Sequence, residues 1–319
     1  MSVDPGTIVQ HDRMTSADVW LMNNSEEIIG LVDECSRAIP ELQYIAASPI
    51  QKTQYKTLLQ TALPPVAFRE VNKGRKQEKT TLDTEEVVCK FLDASWSLDE
   101  AAALECEWGV DAAIAIQAKA HLEAALQHIA IQTWYGISAD ANGFRGIASL
   151  LPYKDSPMVV DAGGTTANGA TSIYALRSDI DAVQYAWGQN GRISDGEIKY
   201  TQIFDEEGKV MWGYAQPISG YVGLQVPTYQ CIGRICNITE EPGHTASEKL
   251  VSRLLEMFPV GKEPDMLFMT KRSRGQIRDE RTATNPTGAE APYPDRIFDK
   301  SILVSEAVSN KEAILTAAP

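Results

Sequence analysis

EEVVCKFLDASWSLDEAAALECEWGVDAAIAIQAKAHLEAALQHIAIQTWYG, residues Glu85 to Gly136, changes its periodicity partway along. At its start Val87, Cys89 and Phe91 alternate with Val88, Lys90 and Leu92, the two-residue period of a strand. From Gly109 onward Ala115, Ala118, Leu122, Leu126 and Ile129 recur at three- and four-residue steps, which predicts one long helix packed through that face. Asp111 suits its first turn and Gly136 its end. At 1.5 Å per residue such a helix spans about 40 Å. Ser97 to Glu100 fits a capping box, so either a helix starts there and breaks near Gly109 or the strand runs on to Glu107. The later start is the one expected.

Upstream, PPVAFREV (Pro64–Val71) is a second extended run, joined to EEVVCKFLDASW by NKGRKQEKTTLDT. Together they predict a long hairpin with a charged tip. Two strands alone are marginal in water, so the hairpin needs support from the rest of the chain or from another copy. Before it, Glu26 to Ile39 is apolar-periodic and stopped by Pro40, and a polar stretch follows. That is too little to make a core, and residues 1–62 read as an arm.

Charge is unevenly placed. The chain of 319 residues carries a net charge of −14, against the basic balance of a simple nucleic-acid-binding domain. Yet Lys52, Lys56, Arg69, Lys73, Arg75, Lys76 and Lys79 crowd residues 51–80 against only Glu70 and Glu78, and Lys271, Arg272, Arg274, Arg278 and Arg281 form a second cluster. Such clusters are either solvated faces or patches complementary to neighbouring copies.

Chemistry-bearing motifs are missing. Of five cysteines (Cys35, Cys89, Cys106, Cys231, Cys236) none forms a CxxC, and reduced structural thiols are expected. His121 and His128 sit seven apart on the long helix without a carboxylate to complete a metal site; His11 and His244 lie elsewhere. DAGGTTANG (Asp161–Gly169) matches neither phosphate-loop pattern and reads as a flexible connector. Carboxylate pairs such as Glu85-Glu86 and Glu206-Glu207 read as solvated charge. No nucleophile-and-base pattern occurs, so no enzyme, cofactor or metal is expected. The start of the chain lacks the basic and apolar regions of a signal peptide, and no run of about 18 apolar residues occurs, so a soluble, cytosolically made protein is expected.

The second half alternates short strands (TSIYALR, AVQYAWG, a GEIKYTQIFDEEGKVMWGYAQP hairpin, GYVGLQV, CIGRICNI) with two helices, TASEKLVSRLLEMF and the basic KRSRGQIRDERT, around the buried strand PDMLFMT. Without a βαβ repeat, the class is α+β. The loop RTATNPTGAEAPYPDRIFDKSILVSE (Arg281–Glu306) carries Pro286, Gly288, Pro292 and Pro294, which exclude helix and discourage pairing. Having no His or Cys, it reads as an outward contact, with Pro292 and Pro294 as contact residues.

The order of arm, charged hairpin ending in CKFLDASWSLD, and single long helix resembles the N-terminal arm, extended loop and spine helix of major capsid proteins of tailed double-stranded DNA bacteriophages, the Hong Kong 97 type of shell fold. NGFRGIASL after the helix, VQYAWG at Val183–Gly188, the WGY strand, GRICNIT, PDMLFMTKRSRGQIRD, RTATNPTG and SILVSEAV resemble later parts of that fold, and the likeness runs from about Gln51 to Asn310. The capsid proteins of short-tailed enterobacterial phages resemble it best.

The resemblance implies an arm at 1–62, an extended loop at 63–98, a peripheral domain with its spine helix at 99–142, and an axial domain plus remaining peripheral strands at 143–319. It implies a homo-oligomer of hexamers and pentamers closing an icosahedral head around double-stranded DNA touched without sequence preference. Further implied partners are a portal and a decoration protein. No long charged helical extension precedes the arm, which implies a separate scaffolding protein. Assembly would occur in the host cytoplasm, with no membrane. A nanocompartment shell of the encapsulin kind, which uses the same fold to enclose an enzyme, is the alternative.

Overall fold

In the computed structural model the described residues are 37–319 except 75, 77, 78, 192, 206 and 286–288. Most of the segment read as an arm, together with His11, Cys35, Arg75, Glu206, Pro286 and Gly288, thus lies outside the described residues. The elements in order are α1 (Pro40–Tyr44), β1 (Ala46–Pro49), β2 (Gln54–Ala62), β3 (Thr81–Val88), β4 (Lys90–Asp93), β5 (Trp96–Asp99), α2 (Glu100–Glu105), α3 (Val110–Tyr135) and a single turn α4 (Ile147–Leu150). Then come β6 (Val159–Asp161), β7 (Thr171–Leu176), β8 (Gln184–Trp187), β9 (Ile193–Asp195), β10 (Lys199–Phe204), β11 (Val210–Gln216), β12 (Ile218–Gln225), β13 (Ile232–Ile238), α5 (Glu248–Glu256), β14 (Met266–Met269), α6 (Lys271–Ala283), β15 (Arg296–Ile297) and β16 (Lys300–Val304). Helices and strands are mixed as expected, and the residues fall into two compact units.

The smaller unit holds Leu92–His128 and Ile193–Gly220. Its sheet runs β10-β11-β5, antiparallel throughout, with Tyr200 opposite Tyr214 and Tyr214 opposite Leu98. Leu98 and Trp96 close a core with Ala102, Ala103, Cys106, Ala113, Ile114 and Ile218, and the Trp96 indole donates to Gln216 Oε1 at 3.0 Å. Gly213 is required there, because a Cβ on it would lie 2.2 Å from the Leu98 carbonyl oxygen.

Both alternatives for the region before the long helix prove partly right. Trp96–Asp99 is strand, Glu100–Glu105 is a short helix, and the chain breaks at Gly109 (φ +88°) before α3. The Ser97 cap does not form: Asp99 takes the N-cap position without a side-chain hydrogen bond, and Glu100 instead accepts from the Tyr200 hydroxyl at 2.7 Å.

Helix α3 has the predicted extent, and Gly136 (φ +55°) ends it where a Cβ would lie 2.0 Å from Gly146 N. The expected packing face is offset. Ala113, Ile114, Ala125, Ile129 and Ala130 are buried, whereas Leu122 is 45% exposed and Leu126 half-buried. Alanine and isoleucine surround this helix, so periodicity alone does not single out a face.

The larger unit holds Ala38–Phe91, Ile129–Arg192 and Tyr221–Pro319. Its main sheet has the order β15-β16-β14-β7-β13-β6, with β14–β16 and β13–β6 parallel and the remaining pairs antiparallel. Every residue of β7, β13 and β14 is buried: β14 is apolar throughout, and the polar members of the other two are hydrogen-bonded, Thr171 to the Ser309 carbonyl, Ser172 and Arg234 to Glu312, and Asn237 to Asp161. Ile173, Ala175, Leu267 and Met269 point to one side, where Val251, Leu254 and Phe258 at α5 and Ile277 of α6 meet them. Tyr174 and Phe268 alternate to the other side against Trp134, stacked at 4.6 Å on Tyr174 and edge-on at 5.1 Å to Phe268. Both helices are capped by the residue before them: Ser247 accepts from Leu250 N and Thr270 from Ser273 N.

DAGGTTANG is a connector, though a tethered one. Glu241 accepts from Thr165 N (3.1 Å), the Thr165 hydroxyl (3.0 Å) and the Thr166 hydroxyl, and His244 Nδ1 bonds the Ala162 carbonyl at 2.7 Å. The hydrogen bonds from Thr166 and Thr165 hold the exposed Glu241 carboxyl below its usual range.

Candidate assembly surfaces

The hairpin exists with different strands from those expected. β2 pairs β3 antiparallel, Tyr55 opposite Val87 and Gln60 opposite Leu82, so the first strand is QYKTLLQTA from the supposed arm. PPVAFREV is unpaired. Pro64 and Pro65 have no N–H for a ladder, and the pairing ends at Ala62–Thr81. At the root, Val87, Cys89 and Ala186 pack with Ile50, Tyr55 and Tyr221. The Tyr55 and Thr57 hydroxyls both reach Gln225 Oε1, and Cys89 N donates to the Thr53 carbonyl at 2.8 Å. Burial raises the half-buried Glu85 carboxyl above its usual value, opposed by Arg145, so that residue of the Glu85-Glu86 pair is not simply solvated charge.

Beyond the root little is covered. Leu58 and Leu82 are exposed, and so are Leu63, Val66, Phe68 and Val71 in the connecting stretch, Phe68 completely (109%). Lys52, Lys56, Arg69, Lys73, Lys76 and Lys79 are exposed as well. Two of these turn inward on the loop itself: Lys73 pairs with Glu70, and Arg69 Nη1 donates to the Lys73 carbonyl at 3.0 Å. The surface therefore combines ammonium groups with large apolar side chains that the other described residues leave uncovered.

The arginines of the second basic cluster are largely paired within the chain, while Lys271 stays exposed. Arg274 Nε donates to the Pro294 carbonyl (2.9 Å) and pairs with Asp295; Arg278 reaches the Ala291 carbonyl and Glu290; Arg281 pairs with Glu248 and reaches the Arg296 carbonyl. Arg272 holds the Gly169 carbonyl and Lys271 pairs with Glu306. The Tyr293 ring lies under Arg274 and Arg278, 5.6 and 4.8 Å from its centre. The described part of the proline loop is thus strapped to α6. Pro292 is exposed, whereas Pro294 is buried in its own chain and is not offered outward.

An open cavity of about 520 Å³ lies beside the C-terminal segment, bordered by Tyr135, Tyr153, Arg234, Lys311 and Glu312. Its two buried charges, Arg234 and Glu312, pair with each other. Buried Glu312 accepts from Arg234 Nη2 (2.9 Å), the Ser172 hydroxyl (2.5 Å) and the Tyr135 hydroxyl (2.7 Å). Burial, with Tyr174 and Glu312 nearby, raises the Tyr135 pKa, keeping that hydroxyl a donor. This network fastens residues 309–316 rather than activating a nucleophile. Cys89, Cys106, Cys231 and Cys236 are buried free thiols, and burial pushes Cys236 up to about 12. Among the described residues no three His, Cys, Asp or Glu side chains converge on a metal position, and no helix is long and apolar enough to cross a membrane.

Comparison with known proteins agrees with this surface-dominated picture. The family model for major capsid protein GP7 matches residues 23–271. A near-atomic cryo-EM structure of bacteriophage Epsilon15 superposes with a TM-score of 0.70 at 16% identity, over 97% of this chain and 99% of that one. The bacteriophage JBD30 capsid gives 0.49 at 11% identity over 86% and 93% of the two chains. The SrpI encapsulin of Synechococcus elongatus gives 0.44 at 9% over 71% and 96%; both this likeness and that to the JBD30 capsid are too low to carry weight. No curated protein sequence matches.

Proposed function

Because the chain belongs to the GP7 family of major capsid proteins, and so is a shell-forming component of a phage virion, we propose that its copies close an icosahedral head from hexamers and pentamers. The carrying observation is the Leu63–Val71 stretch. A chain that leaves Leu63, Val66, Phe68 and Val71 in water on a two-stranded ribbon gains by covering them with a second copy. In this reading Lys52, Lys56, Arg69, Lys73, Arg75, Lys76 and Lys79 meet acidic surface on that neighbour, which the net charge of −14 makes abundant. Pro292 adds an exposed contact; Pro294 serves by holding the loop to α6.

The smaller unit corresponds to a peripheral domain and the six-stranded sheet to an axial one, with β2, β3 and the stretch between them as the extended loop. A separate scaffolding protein sets the curvature, a portal occupies one vertex, and a decoration protein is a further partner. Contacts with packaged DNA are few and non-specific, since an acidic interior repels phosphate. Assembly takes place in the host cytoplasm, and the subunit performs no catalysis.

Electron microscopy and mass photometry of the chain expressed with its neighbouring genes test the reading. Closed shells with pentamers at the vertices and hexamers between them are expected, and Lys73→Glu with Lys79→Glu should prevent them while leaving the subunit folded. Only monomers or dimers from the unaltered chain under assembly conditions would overturn it.

A further inference from the structure

Glu41, in α1, is wholly buried. Its Oε1 accepts from Trp134 Nε1 at 2.7 Å and from the Ser305 hydroxyl; Oε2 is buried with no hydrogen-bond partner among the described residues. Among the described residues the groups acting on this carboxyl are Ser305, Trp134 and its own backbone, none of them a cation, and the titratable Tyr185 on β8 lies close enough to feel its charge. An ionised carboxylate here would be a buried charge without a counter-charge, which proteins avoid by keeping the group neutral. The neutral acid suits the site: one oxygen takes two donors as a carbonyl does, and the other carries the proton.

What Glu41 fastens is a strap at a sheet edge. Residues 40–50 cross to β8, where β1 pairs in parallel, Ala46 opposite Gln184 and Pro49 opposite Trp187. Ile45 is buried, Ala46 N donates to Ser178 Oγ at 2.6 Å, Ser48 Oγ to Gln184 Oε1 at 2.7 Å, and Ile50 N to the Trp187 carbonyl at 2.8 Å. An edge strand of four residues is the kind of element that opens without unfolding its domain.

We propose that residues 40–50 form a proton-gated strap, docked while Glu41 is neutral and released when it ionises, freeing the β8 edge and the chain that leads into it. Burial, outweighing the hydrogen bonds from Ser305 and Trp134, raises the docked carboxyl above its ordinary value. A raised docked-state pKa means that docking is fullest below the released-state value. It weakens by about tenfold per pH unit as pH rises toward the docked value, then levels off.

Hydrogen exchange of the full chain between pH 5 and 9, corrected for the intrinsic pH dependence, reads this directly. Amides of residues 45–50 should lose protection by about tenfold per unit over part of that range, while those of α5 do not move. Glu41→Gln should hold the low-pH protection throughout. Ser305→Ala, which removes a hydrogen bond favouring the ionised form, should carry the sloping range to higher pH, and it decides the matter if Glu41→Gln does not fold. Protection of 45–50 independent of pH, or a slope left unchanged in either variant, overturns the proposal.

Discussion

The β2–β3 ribbon and the six-stranded sheet both carry large apolar side chains, and those side chains meet opposite fates. In the sheet, Thr171–Leu176, Ile232–Ile238 and Met266–Met269 are buried along their whole length, covered by α5 and α6 on one side and by Trp134 on the other. On the ribbon, Leu58 and Leu82 face water although both sit within a well-made ladder. Burial of apolar surface is worth roughly 25 cal/mol per Å² wherever it happens. The sheet collects that free energy beneath its own helices, whereas the described residues leave the far end of the ribbon uncovered, and in the proposed shell a second copy supplies the cover. On that proposal the stability of the subunit and the stability of the shell rest on different residues, and substitutions can separate them.

The largest effect on the isolated subunit should come from Phe268→Ala. Phe268 is fully buried on β14 and packs edge-on against Trp134, so truncation costs about 3–5 kcal/mol. Against a typical total of about 5–15 kcal/mol, a denaturant titration should show a sharply lowered midpoint or no soluble subunit at all. A midpoint near that of the parent chain would mean that the sheet is not where subunit stability resides, and the contrast with the ribbon would collapse.

A smaller loss should follow Ser247→Ala. The Ser247 hydroxyl accepts from Leu250 N at 3.3 Å and starts α5, whose Val251 and Leu254 sit in the core. Removing such a cap costs about 0.5–2 kcal/mol, and the length of this bond favours the lower half. Thermal melting should show a modest decrease, with assembly intact in subunits that remain folded. Loss of assembly without loss of melting temperature would move α5 from the scaffold to the contact surface.

Legibility followed the reach of the interactions. Helices α5 and α6 and strands β7, β13 and β14 stand out in the sequence because caps and apolar runs are local. The first hairpin strand did not: Gln54–Ala62 alternates Tyr55, Thr57 and Leu59 only weakly, since no core lies along most of it, and its partner is some twenty residues away. The face of α3 was displaced because its apolar residues surround the axis, leaving the choice to whatever packs there. The arginines of α6 look like a free patch until Glu290, Asp295 and Glu248, distant in sequence, are brought to them. Nothing near Glu41 in the sequence marks it as a buried acid, because its partners Trp134 and Ser305 lie 93 and 264 positions away.

The sharpest test of the comparison is the substitution expected to do least to the subunit. Phe68 is fully exposed on the unpaired stretch after Pro64 and Pro65, so Phe68→Ser removes no packing against the described residues, and its effect on subunit stability should lie within about 0.5 kcal/mol. In a shell the same ring, with Val66 and Val71 beside it, would be covered by a neighbour, and deleting it would remove part of the apolar contact from every copy at once. Melting of the dispersed subunit and electron microscopy of assembly products, measured on one preparation, separate the two. The expected pair is an unchanged melting temperature and few or no closed shells. A melting temperature lowered as far as in Ser247→Ala would place Phe68 inside its own subunit in solution. Normal shells with normal melting would leave the Leu63–Val71 stretch facing solvent after assembly, and the ribbon would then have to be held through its charged face alone.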